Sequence, residues 1–298
     1  MLDISLLGTS GMIPLHNRYL TAMLARYNGN LLLIDCGEGT QVTMRELGWG
    51  FVNLNVLLIT HFHADHISGL PGFLLSLSNY GRIEPLHIIG PKGTKTVVNN
   101  LCIIAPKLMY PIEITELENK PQNISIGGWH IGAIPLQHGL PCFGYSLTIP
   151  RLGKFNVMHA KEHNIPVKYW SRLQSGETVD GFTPDMVLGE PRKGIKVSYI
   201  TDTRPLDTIP SFIKDSDLFI CEGIYGDDEM KERADRFYHM IYSDAAKLAK
   251  AGDVKELWLT HYSQAFLNPE AHIDSIKPIF KNAIAGYDRM TKTITFED

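Results

Sequence analysis

The chain is short of several things, and each shortage narrows what it can be. Its four cysteines, Cys36, Cys102, Cys142 and Cys221, are scattered without a C-x-x-C pair, which speaks against a thiolate zinc site and against a disulfide framework. Reduced thiols in a cytosolic protein are the simplest reading. There is no excess of charge of one sign: the formal charge is −4 with a pI near 6.3, so a nucleic-acid partner would have to be held by a local patch or by metal. No apolar run approaches the ~18 residues of a membrane span, and MLDISLLGTSG lacks the basic flank of a signal peptide. A soluble, unprocessed, cytoplasmic protein is expected. Linkers rich in Pro, Gly or Ser and internal repeats are missing too, so nothing splits the chain into separate domains.

What is present is apolar content of 44% over 298 residues, enough for an enzyme-sized core. Short apolar runs bounded by Gly, Pro, Asn or Asp recur throughout: ISLLG, TAMLARY, NLLLIDCG, NVLLIT, LHIIGP, NISIGG, WHIGAIPL, FGYSLTI, KVSYITDT, LFICEG, ELWLTH and KTITFE. These are strand signals. Helical stretches separate many of them. ISGLPGFLLSLSNYG should form a helix stopped by Gly81, Ser243 should cap DAAKLAKAG, and Asn268-Pro269 should open EAHIDSIKPIF. Alternating strands and helices over residues 1–298 indicate one α/β domain. The least regular tract, 151–193, carries seven Lys/Arg against five Asp/Glu and is expected to be an inserted arm.

The chemistry concentrates at HFHADH, residues 61–66, which begins where the strand NVLLIT should end. Strand ends are where α/β proteins gather their sites, because loops converge there over a rigid sheet. His61 and His63 can reach one cation, while Asp65 and His66 turn toward a second. Imidazole with carboxylate oxygen suits zinc, manganese or iron. Four donors cannot close two metal shells, so further ligands should stand at other strand ends. His138 ends IGAIPLQH, Asp202 follows KVSYIT and His261 follows ELWLT. The expected assembly is His61, His63 and His138 on one ion, Asp65, His66 and His261 on the other, with Asp202 bridging. His16, His87, His130, His159, His163 and His272 have no such context.

GTSGMIP, LLLIDCGEGTQ, ITHFHADHISGLPG, HGLPCFGYSL, TDTRP, CEG, the His239-Met240 pair and LTHYS occur in one order along nearly the whole chain. In this the sequence resembles the metallo-β-lactamase superfamily and, through TDTRP and His239 ahead of LTHYS, its ribonuclease Z (tRNA 3′ endonuclease) family. The resemblance implies an α/β fold of the αββα four-layer sandwich type, two mixed sheets between helices, with two divalent metal ions at one edge, Zn2+ first and Mn2+ or Fe2+ as alternatives. It implies a cytoplasmic endoribonuclease cleaving the 3′ trailer from precursor tRNA by attack of a dimetal-bound hydroxide. Asp65 would orient that nucleophile, His239 would serve the leaving oxygen, and Glu222 would orient His239. Ser263 and Arg18 would touch phosphate. Lys168 and Arg172 would bind RNA from the arm 151–193, a candidate tRNA-binding exosite, and the chain would form a homodimer, with no membrane involved.

The sequence departs from the family pattern in three places: Pro14 to Tyr19 reads PLHNRY in place of P-x-K-x-R-N, the arm lacks a Gly-Pro element, and Ser263-Gln264-Ala265 lacks the arginine of S-x-R. A phosphodiesterase for small diesters such as cyclic nucleotides is therefore the alternative, and a glyoxalase- or lactonase-like hydrolase a further one.

Overall fold

The computed structural model describes residues 1–105 and 107–297. The chain divides into two compact units, one made of 1–148 with 196–294 and the other of 149–195 with the C-terminal residues from 295.

The larger unit is built on two sheets of seven strands each. The first contains β1 (Leu2–Gly8), β2 (Ala22–Tyr27), β3 (Asn30–Ile34), β4 (Leu54–Leu58), β5 (Leu86–Pro91) and β6 (Ile112–Leu117). The second contains β7 (Gln122–Ile126), β8 (Trp129–Leu136), β9 (Cys142–Arg151), β10 (Arg192–Ile200), β11 (Leu218–Glu222), β12 (Leu257–Thr260) and β13 (Ala283–Ala285). β14 (Thr291–Ile294) returns to pair with β1, giving the orders β14-β1-β2-β3-β4-β5-β6 and β13-β12-β11-β10-β9-β8-β7. Each sheet is mixed: β1 to β3 and β7 to β9 run antiparallel, whereas β3 to β6 and β10 to β13 run parallel. This is the expected four-layer α/β architecture.

Parallel strands are covered on both faces and read as continuous apolar runs, as β11 does with all five residues buried. The helices Leu70–Asn79 and Thr94–Leu101 pack on the first sheet around Leu33, Leu57, Phe73, Leu74 and Ile88. Thr208–Ile213 and Tyr242–Ala251 cover the second around Ile209, Phe219, Ala245 and Leu257. The Tyr145 hydroxyl donates to the carbonyl of Ile59 at 2.7 Å and the Phe143 N–H to that of Thr60 at 3.0 Å. These bonds bind β9 of one sheet to the end of β4 in the other, beside the histidine-rich turn.

Three local expectations change. The helix after His66 comes in two pieces, Ala64–Ile67 and Leu70–Asn79. They part at Gly69, where a side-chain Cβ would stand 2.2 Å from the carbonyl oxygen of Gly37; the turn is pressed onto the loop after β3 and cannot continue straight. Gly81, at φ +84°, does follow the helix end as expected. Ser243 lies inside the helix Tyr242–Ala251, which starts after Ile241, and the Asp244 carboxylate accepts the Ile241 N–H at 3.4 Å instead. After Asn268, Pro269–His272 forms a 3-10 turn and Ile273–Ile276 one α-helical turn.

The smaller unit has its own apolar cluster of Ala160, Ile165, Leu173, Val179 and Val187, with Phe155, Tyr169 and Trp170 against it. No helix among the described residues is long and apolar enough to cross a membrane.

Candidate metal centre

Seven side chains converge from the C-terminal ends of strands in both sheets. His61, His63, Asp65 and His66 follow β4, His138 follows β8, Asp202 follows β10 and His261 follows β12. Asp202 and His261 hold left-handed backbone conformations, with φ +51° and +58°. Side chains with Cβ pay for that geometry, so the surrounding structure must impose it.

The two carboxylate oxygens of Asp202 face different pairs of imidazoles. Oδ2 lies 3.7 Å from Nε2 of both His61 and His138, while Oδ1 lies 3.2 Å from His66 Nε2 and 3.3 Å from His261 Nε2. His63 Nδ1 completes the first group, 3.0 Å from His61 Nε2 and 3.1 Å from His138 Nε2. Asp65 Oδ2 completes the second, 3.3 Å from His261 Nε2. The ligand atoms of His61, His63, His138 and Asp202 lie within 4.8 Å of one another, as do those of Asp65, His66 and His261. Asp202, His239 and His261 satisfy the same limit, but His239 Nδ1 is engaged by Glu222 Oε2 at 2.8 Å.

The imidazoles are aimed by what holds their other nitrogen. His66 Nδ1 donates to Asp35 Oδ2 at 2.7 Å, His61 Nδ1 meets the Thr60 hydroxyl at 3.1 Å, and His138 Nδ1 faces the carbonyl of Tyr238 at 3.4 Å. Each Nε2 is thereby left to point inward, the arrangement by which metal-binding histidines are fixed. Asp35 also accepts the Thr60 N–H at 2.8 Å. Gly11 closes over His261, whose ring a Cβ there would meet at 2.8 Å.

The electrostatics suit cations. Burial and the neighbouring imidazoles push His61 well below its ordinary pKa, and burial lowers His63 and His138, so these rings are neutral and ready to donate lone pairs. Burial opposes charge on His66, but Asp202 and Asp35 outweigh it and hold its pKa well above the usual value. Burial likewise opposes charge on Asp202 and Asp65; the facing histidines overcome it and keep both carboxyls ionised far into acid. Imidazole nitrogens converge at about 3 Å around buried Asp202, whose Oδ1 has no hydrogen-bond partner. A divalent metal ion satisfies them, and this N/O donor set without thiolate fits one.

Glu222 is fully buried at the end of β11 and accepts from the Thr203 N–H at 2.7 Å as well as from His239. Burial opposes a charge on His239, but Glu222 overrides it and raises its pKa to about 9. His239 lines, with His63, Asp65, His138, Asp202 and His261, a cavity of about 480 Å³.

The remaining sequence candidates lie elsewhere. Arg18 lines another cavity, of about 520 Å³, and donates to the carbonyls of Phe266 at 2.7 Å and Ser263 at 3.3 Å. Ser263 is buried beside it. Lys168 and Arg172 sit one turn apart on the helix Val167–Gln174 of the smaller unit, where Arg172 makes a two-pronged ion pair with Glu177. Sequence reasoning passed over Asp35, although it ends β3 just as Asp202 ends β10, and the same rule would have found it. Of the histidines set aside, His87 pairs with Glu113, His130 with Ser125 and His272 with Asp227, none in this cavity.

Residues 2–101 match the family model described as Anti-Pycsar protein Apyc1. The chain is 49% identical over 302 residues to a protein of Lachnospira eligens named Ribonuclease Z, covering 100% of this chain and 99% of that one. It is 50% identical over 303 residues to Ribonuclease Z of Clostridium kluyveri, covering 100% of both. Among solved structures, the short form of human tRNase Z superposes with a TM-score of 0.70 over 99% of this chain and 100% of that one; at 22% identity the likeness is one of fold.

Proposed function

The chain belongs to the ribonuclease Z family, and from that premise we propose that it is a metal-dependent endoribonuclease removing the 3′ trailer of precursor tRNA, leaving a 3′-hydroxyl on the tRNA. The observation that carries the reading is Asp202, one oxygen turned to His61 and His138 and the other to His66 and His261. We assign His61, His63 and His138 to one cation and Asp65, His66 and His261 to a second, with Asp202 between them and zinc as the metal. Bound there, divalent cations supply Lewis acidity, lowering the pKa of water to about 7 and offsetting negative charge on a phosphoryl group.

The protein's own groups do the rest. Asp65 is kept ionised and fixed by the Met12 N–H, which donates to Oδ2 at 2.8 Å, so a carboxylate oxygen is positioned to orient the attacking water. His239 is held protonated by Glu222, and with Nδ1 engaged its Nε2 proton is free for the departing 3′-oxygen. Ser263 is assigned a phosphate contact. Arg18, spent on two backbone carbonyls, acts by holding the Ser263 segment. The whole chain works as one metallo-β-lactamase-fold catalytic domain with the arm 151–193 as its tRNA exosite, Lys168 and Arg172 meeting the RNA backbone. A cytoplasmic homodimer is part of the same reading.

Incubating the protein with a precursor tRNA transcript, mapping the new 3′ end and measuring metal per chain tests it. The expected result is two metals and a cut after the discriminator base. Two metals with brisk hydrolysis of a small aryl phosphodiester but no cut near the acceptor end would replace it with a small-diester phosphodiesterase.

A further inference from the structure

The cavity over the metal centre has an apolar rim that none of the groups described above accounts for. Besides the histidines and carboxylates it is lined by Met12, Ile13, Tyr225, Arg233 and Phe237. Met12 is 62% exposed, Ile13 49% and Phe237 54%. Large apolar side chains left open to water around a charged pocket mark a binding surface, and hydrolysis of a phosphate ester makes no demand for them. Met12 is held there by its backbone: φ is +71°, and its N–H is tied to Asp65.

The charges beside this rim add to its chemistry. The Arg233 guanidinium lies 5.7 Å from the centroid of the Tyr225 ring and that of Arg236 5.7 Å from the Phe237 ring. Both arginines are exposed, and neither has a carboxylate at ion-pair distance among the described residues. Both come from the helix Lys231–Arg236, which Phe237 ends two residues before His239. Unpaired cations interleaved with an open aromatic face are what single-stranded nucleic acid binds: a base stacks and the flanking phosphates meet the guanidinium groups.

We infer that Phe237, which lines the cavity together with Met12 and Ile13, is a nucleobase platform that seats the base of the nucleotide keeping the 3′-oxygen, with Arg233 and Arg236 on the adjoining phosphates. The inference rests on the ribonuclease reading and deepens it. It places the base on the leaving-group side because Phe237 and His239 line the same cavity two residues apart, and the leaving oxygen belongs to that nucleotide. Holding its base limits the swing of the ribose, so Phe237 sets which linkage is cut as well as how tightly RNA is held.

The test is a cycle of two changes, one in each partner. Wild-type protein, Phe237→Ala and Phe237→Trp are assayed on a precursor tRNA transcript and on the same transcript with an abasic residue just 5′ of the cut, with metal content measured throughout. Stacked bases lose about 10-fold or more when their aromatic partner becomes alanine. The expected result is a loss of that size in kcat/KM for Phe237→Ala on the intact transcript, a similar loss for wild-type protein on the abasic one, and no further loss when the two are combined. Phe237→Trp should keep most activity, and metal content should not move. Losses that multiply, no loss at all, or a loss that appears only when the abasic residue is 3′ of the cut would overturn the platform. Failure of wild-type protein to cut the intact transcript would overturn the ribonuclease reading itself and the platform with it.

Discussion

Asp35 Oδ2 accepts a hydrogen bond from His66 Nδ1 at 2.7 Å, both side chains being wholly buried. Asp35 stands at φ +59° immediately after β3, so the first sheet sets the aim of the His66 imidazole, which follows its neighbouring strand. Asp35→Asn keeps the shape but leaves one acceptor oxygen where Thr60 and His66 need two. Metal affinity should fall about 10- to 100-fold, read by competition with a chelator followed by metal analysis. Unchanged affinity would remove Asp35 from the centre.

His239→Ala should leave both metal positions filled and lower turnover of precursor tRNA by roughly 100- to 10,000-fold, the range of a lost general acid. A phosphodiester whose leaving group is an acidic phenol needs little help from a proton donor. The same variant should therefore hydrolyse it at nearly the wild-type rate. Equal losses on both substrates, or loss of metal, would count against the assignment.

The role of Glu222 has a pH signature. Because Glu222 raises His239 to about 9, a His239 acting as acid stays competent until pH rises through that value, and activity should decline on the alkaline side. In Glu222→Gln the opposing effect of burial is no longer countered, so the decline should begin at lower pH. A pH profile of kcat/KM for the two proteins decides it, and coincident alkaline limbs would be the contrary result.

Asp288 reports on stability. Burial raises its pKa to about 6, despite hydrogen bonds from the Tyr19 N–H and the Thr9 hydroxyl. A folded-state pKa above the unfolded value near 3.9 makes folding favour the protonated carboxyl. The stabilisation is present below pH 4 and is lost as pH rises through 6. Between pH 4 and 7 the stability of Asp288→Asn relative to wild type should therefore rise by roughly 2 to 3 kcal/mol, measured as denaturant unfolding of both proteins at each pH. A constant difference would show that Asp288 does not titrate there.

The strand ends were legible in the residues alone and, with them, the side chains that meet at the centre. Short β-branched and aliphatic runs are legible because a strand covered on both faces can accept little else, and a polar residue closing such a run stands out at once. That rule placed His61, His138, Asp202 and His261 and, applied to LLLIDCG, would also have placed Asp35. It was weaker where burial was partial. β6 alternates charged and apolar residues, with Glu113 and Glu116 exposed at a sheet edge, and β13 is three residues long, too short to carry a pattern.

Which of these side chains face one another, and which groups surround them, came from the packing of the two sheets. Nothing local to TDTRP says that the two oxygens of Asp202 face separate pairs of histidines; that follows from β4, β8, β10 and β12 bringing their ends together across two sheets. The Glu222 to His239 bond spans 17 residues, and the apolar rim joins Met12 and Phe237, which lie far apart in the sequence. Periodicity records what each element hides from water, but contacts between elements distant in sequence depend on sheet order and on the paths of the loops. Those belong to the packed whole.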